Sequence, residues 1–167
     1  VEFKVDPTLN SGIQIRSQVF AEPKEIEGKE GKKRTVPADR VHGYQVEIDP
    51  SARSFSGAIY DEARRGVFLA DLKDNEAARK AFKQNEWNKF RIECKGDSIK
   101  TWINGVPAVD LKDSVTPKGL IALQVHGVGD GLYHAGDDRV PRAHQARVLV
   151  DHLGAGRHAR RGPRQGQ

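Results

Sequence analysis

Glu47 and Asp49 stand two residues apart in the run Tyr44-Gln45-Val46-Glu47-Ile48-Asp49. On a strand that spacing turns both carboxyl groups to one face, about 7 Å apart at Cα, with Gln45 beside them. Paired acids on one surface suit glycosidic-bond cleavage, a separation of about 5–5.5 Å favouring retention. The same spacing also describes a solvated outer face. Gln124 and His126 repeat the arrangement, offering an amide and a titratable imidazole for acid/base work near neutral pH. A capping histidine beside Gly127 is the structural alternative. Gln14 and Arg16 form a third polar ladder, in which Arg16 either holds a carbonyl or hydroxyl oxygen or is a surface strand arginine. Three strands that each pair a glutamine with an ionisable group point to one shared cleft. Trp102 is either a stacking platform for a sugar ring or a core anchor of a second sheet, and Trp87 reads as core. Tyr60 either donates to a sugar oxygen or is structural. The candidate catalytic residues are thus Glu47, His126 and Asp49. The candidate binding residues are Gln14, Arg16, Gln45, Tyr60, Gln124 and Trp102.

Other constellations carry less. His134, His144, His152 and His158 match no helical or finger spacing, the lone Cys94 excludes a thiolate zinc site, and no metal or other cofactor is expected. Gly127, Gly129 and Gly131 precede no helix, so no phosphate loop is read there. Asp130, Asp137 and Asp138 lack the spacing of a calcium loop. No Gly-x-Ser-x-Gly elbow or Cys/His nucleophile pair is present.

Short strands must position these side chains. Ile13, Ile15, Ser17 and Val19 alternate with polar residues, as do Tyr44, Val46 and Ile48, the pattern of half-buried strands. Ile121, Leu123 and Val125 alternate with Ala122, Gln124 and His126 in the same way. Residues 88–111 read as a three-strand meander with turns at Gly96-Asp97 and Asn104-Gly105, the latter the strongest short hairpin signal. One short helix is expected around 74–82 with Asp74 as N-cap, and residues 21–39 read as a charged loop. Many antiparallel strands with at most one or two short loop helices predict an all-β jelly-roll sandwich.

The chain has 167 residues, 31% charged and 37% hydrophobic, enough for one domain's core. No run reaches the ~18 apolar residues of a membrane span, and residues 1–5 read as a strand rather than a signal peptide. With no initiator Met, residue 1 is expected to be a cut end. Residues 1–126 carry 13 Lys and 8 Arg against 19 acids, so the body lacks the clustered basic surface of a nucleic-acid binder. Residues 127–167 switch to 7 Arg without Lys. The organisation expected is a sandwich over 1–128 and a Gly/Arg/His-rich segment over 129–167, disordered from about 154, where no large apolar residue follows Leu153.

Several phrases, in order, resemble the 3-keto-disaccharide hydrolase domain family, whose fold is a concanavalin A-like jelly roll. They are Val1-Glu2-Phe3-Lys4, Asn10-Ser11-Gly12-Ile13-Gln14-Ile15-Arg16-Ser17, Gly43-Tyr44-Gln45-Val46-Glu47-Ile48-Asp49 and Gly57-Ala58-Ile59-Tyr60-Asp61. Glu86-Trp87-Asn88-Lys89-Phe90-Arg91-Ile92, Trp102-Ile103-Asn104-Gly105-Val106 and Gly119-Leu120-Ile121-Ala122-Leu123-Gln124-Val125-His126-Gly127 complete the set. The family normally has strands before Val1 and an Arg-Asn-Ile-type strand after the His-Gly turn, and neither is found here. The resemblance implies a hydrolase of oxidised sugars such as 3-keto-glucosides, with a small carbohydrate as partner and a periplasmic or extracellular setting. A ketone at C3 acidifies the C2 proton, so one base, an oxyanion partner and an acid suffice. On that chemistry His126 or Glu47 is base or acid, Arg16 and Gln124 stabilise oxygen, and Asp49 orients. The rival is a non-catalytic, lectin-like carbohydrate-binding module, since fold does not fix function.

Overall fold

The alternation of branched and aromatic residues with polar ones builds the chain almost entirely from strands. The computed structural model describes residues 1–125 and 145–147. In chain order the elements are β1 (Glu2–Lys4), β2 (Ser11–Gln18), β3 (Lys24–Glu27), β4 (Lys33–Val36), β5 (His42–Ile48), β6 (Ile59–Glu62) and β7 (Phe68–Ala70). Helix α1 (Glu76–Ala81) follows, then β8 (Asn88–Lys95), β9 (Ser98–Ile103), β10 (Val106–Lys112), β11 (Leu120–Val125) and β12 (Gln145–Arg147). Two five-stranded antiparallel sheets, β10-β9-β8-β1-β12 and β11-β2-β5-β6-β7, form the expected all-β sandwich.

The sheets meet through one apolar layer. Ile13, Ile15, Tyr44, Val46, Ile48 and Ile59 come from one sheet, and Phe3, Phe90, Ile99, Ile103 and Val109 from the other. Phe3 packs on Phe90 with ring centroids 4.6 Å apart. The meander forms as expected, with Asn104 and Gly105 at φ 49° and 85°, the left-handed pair a tight hairpin turn requires.

Local expectations are corrected at several points. The helix begins after Asn75, whose Oδ1 accepts from Ala78 N at 3.1 Å; Asp74 is not the cap. Residues 21–39 are not a plain loop: β3 and β4 pair there from Lys24↔Val36 to Glu27↔Lys33. Trp87 is 42% exposed rather than core, because it lies in the turn entering β8 instead of on an inward strand position. Val19 lies past the end of β2 and is exposed. Leu123, whose alternation with Ala122 and Gln124 marks it for the buried side of its strand, is 46% exposed, because β11 is the edge strand of its sheet among the described residues.

At one end of the apolar layer sits a buried polar knot. Asp61, paired with Tyr44 across β6 and β5, is fully buried; it binds Arg64 Nη2 at 2.7 Å and the Arg65 guanidinium. Arg65 Nη1 also reaches Asp113 at 2.8 Å, and Asp113 accepts from the Tyr44 hydroxyl. Arg64 stacks over the Tyr44 ring at 4.5 Å. The knot ties the β6–β7 turn to the segment after β10.

Candidate functional site

The outward face of β5 is as buried as its inward face. Gln14, Gln45 and Glu47 are 3%, 2% and 6% exposed, although strand alternation opposes them to the core side chains. A polar face withheld from bulk water must be hydrogen-bonded, and here it is. The Ser17 hydroxyl donates to Gln14 Oε1 at 2.7 Å, and Gln14 Nε2 donates to Gln45 Oε1 at 2.7 Å. Gln45 Nε2 then donates to Glu47 Oε2 at 3.0 Å and to Gln124 Oε1 at 3.2 Å. From the other side Asn10 Nδ2 donates to Glu47 Oε1 at 2.8 Å. Gln14 thus orients Gln45, whose amide donor is shared between Glu47 and Gln124.

This row forms the floor of a cleft of about 690 Å³, within the range of small-molecule sites. Tyr60 and Phe68 line the cleft from the β6–β7 side, their rings edge-on with centroids 5.0 Å apart. Arg53 lines it too, its guanidinium over the rings of Phe55 and Phe68 at 5.2 and 5.1 Å. Arg40 and Glu62 close another side as an ion pair at 2.6 Å. Burial pushes the Glu47 carboxyl above the ordinary glutamate range, against the opposing pull of the Asn10 and Gln45 hydrogen bonds. Burial likewise pushes the Tyr60 hydroxyl up, so it stays a donor at neutral pH.

The structure brings together Gln14, Gln45, Glu47, Tyr60 and Gln124 of the expected residues. Three others lie elsewhere. Arg16 has φ 48°, and β2 sets two residues, Arg16 and Ser17, against Gly43 of β5. This bulge puts Ser17 in the polar row; Arg16 instead comes within electrostatic reach of Cys94 on the facing sheet and lines no part of the cleft. Asp49 lies just beyond β5, and its carboxylate is consumed by the turn. It accepts from Ser51 N at 3.2 Å, Arg53 Nε at 2.7 Å and Phe55 N at 3.1 Å. Burial alone would raise this carboxyl, but these hydrogen bonds outweigh burial and hold it below the ordinary aspartate value. Trp102 projects from β9 on the other sheet, neither in the core nor in the cleft, under the Arg91 guanidinium at 4.8 Å. His126 lies outside the described residues, as do the 128/129 boundary and the tail from 154.

The cleft also draws in Asn10, Arg53 and Phe68, which no motif or ladder in the sequence marks as site residues. Asn10 had a signal, since it directly precedes the Ser11-Gly12 opening of a polar ladder. Arg53 and Phe68 had none, because a turn and a three-residue strand show no periodicity.

The antiparallel sandwich thus carries a polar cleft of small-molecule size, walled on one side by aromatic rings. The family model described as the 3-keto-alpha-glucoside-1,2-lyase-like domain matches residues 1–134, and the chain belongs to that family. Comparison with curated proteins finds no match.

Proposed function

We propose that the protein cleaves the glycosidic bond of an oxidised sugar such as a 3-keto-glucoside, with Glu47 as the base. The observation that carries this reading is the state of Glu47. Among the described residues lining the cleft it is the buried carboxylate, both its oxygens are held by neutral amides, and its proton affinity is raised. A raised, positioned carboxylate is suited to taking a proton from carbon beside a carbonyl. Asp49 is committed to the turn and Glu62 to Arg40, so neither stands ready as the second acid of a paired-carboxylate glycosidase.

On this reading Glu47 removes the C2 proton, and the electron pair moves onto the C3 oxygen as an enolate. The enolate collapses to a C1–C2 double bond, expelling the C1 oxygen, which takes a proton; water adding across the double bond completes net hydrolysis. His126, next in the chain after β11, is assigned as proton donor to the leaving oxygen. Gln124 and Tyr60 hold sugar hydroxyls, and the Tyr60–Phe68 wall covers the apolar face of the ring.

The test is product analysis after incubation with a 3-keto-disaccharide and, separately, its unoxidised parent. Release of the aglycone sugar from the keto substrate alone is expected. Binding of both sugars with turnover of neither would favour a lectin-like module instead.

A further inference from the structure

We propose that Arg53 is the oxyanion donor of the cleft, holding the keto oxygen as Glu47 takes the neighbouring proton. This inference rests on the reading of Glu47 as base. Its geometry stands on four contacts. Arg53 Nε is fixed on Asp49 Oδ2 at 2.7 Å, the guanidinium lies over the rings of Phe55 and Phe68, and Nη2 is 4.0 Å from Glu47 Oε1. The clamp holds the guanidinium at the cleft as a long ion pair with Glu47, beyond hydrogen-bonding distance.

That gap fits the chemistry. A ketone presents its oxygen and its acidic α-hydrogen on adjacent carbons, so base and donor must stand side by side without quenching one another. When Glu47 takes the proton, the C–H electron pair becomes the C2–C3 double bond of the enolate, and the carbonyl pair comes to rest on oxygen. A guanidinium already in place meets that charge without reorganisation, the usual source of oxyanion stabilisation. Among the described residues lining the cleft the other cationic one, Arg40, is paired with Glu62 at 2.6 Å. Asp49 acquires a role by the same geometry, as the residue that positions Arg53.

The experiment follows methyl 3-keto-glucoside in deuterated buffer by NMR, reading deuterium at C2 together with the C1–C2 alkene and the released methanol. Wild type, R53A and R53K are compared, each checked for an unchanged melting temperature. R53A is expected to lose about 10²-fold or more in kcat, the scale for removing one oxyanion donor, with a smaller change in KM. R53K should recover part of that loss, and millimolar guanidinium should partly restore R53A. Loss of C2–H by wild type with undiminished kcat in R53A would overturn the role of Arg53 and leave Glu47 as base. Absence of any C2–H loss in wild type would overturn both.

Discussion

The side chain of Gln45 occupies the space where Gly12 has no side chain: a Cβ on Gly12 would lie 2.5 Å from Gln45 Cδ and Cγ. Gly12 is paired with Glu47 across β2 and β5, so the missing side chain lets Gln45 lie over the neighbouring strand and reach both Glu47 and Gln124.

Gly12→Ala should therefore damage the site while leaving the fold in place. The methyl group must expel a buried amide bonded at both ends, an overpacking cost of about 1–3 kcal/mol. Thermal melts should show that loss, and turnover of a 3-keto-glucoside should fall with it. Wild-type turnover in a folded alanine variant would show that the amide row does not position Glu47.

Glu47→Gln should lower turnover by about 10²-fold or more, the scale of a positioned acid/base group. In wild type the acid limb of the kcat/KM profile should lie above the ordinary glutamate range, because burial raises the carboxyl. A profile flat down to the ordinary range would remove Glu47 from the base role.

The same shift has a stability consequence of definite sign. Glu47 has a folded pKa above its unfolded value, so folding favours the protonated form. Its contribution is fully present below the unfolded pKa and is lost as pH rises through the folded one. Wild type should gain stability relative to Glu47→Gln as pH is lowered through the range just above the ordinary glutamate value. Chemical denaturation of both proteins across that range measures it, and a constant difference would contradict it.

Asp61→Ala should be far more damaging to folding than to any group in the cleft. It removes the partner of Arg64, which is 7% exposed, and breaking a buried ion pair from one side costs about 3–5 kcal/mol. Replacing Asp61 and Arg64 together by apolar residues should recover much of the loss. A double variant no more stable than Asp61→Ala would place the damage elsewhere.

Ile48→Ala, on the core side of the strand that carries Glu47, should cost about 2–5 kcal/mol of stability. Denaturant midpoints check it. A change well under 1 kcal/mol would mean that the apolar layer does not hold β5 in place.

Period-two alternation is a local property, and it carried the sandwich, the meander with its Asn104-Gly105 turn, and the assembly of Gln14, Gln45, Glu47 and Gln124. Each of those four sits in a regular register, where side-chain direction follows from position alone. Arg16 departs because a single extra residue opposite Gly43 rotates the chain, and an insertion of that kind depends on the partner strand rather than on β2 itself. Asp49 departs because three donors from its own turn claim the carboxylate before the cleft does. Arg53 enters for the complementary reason. A residue in an aperiodic turn has no direction until Asp49, Phe55 and Phe68 hold it, and those contacts exist only once the turn has closed against the sheet.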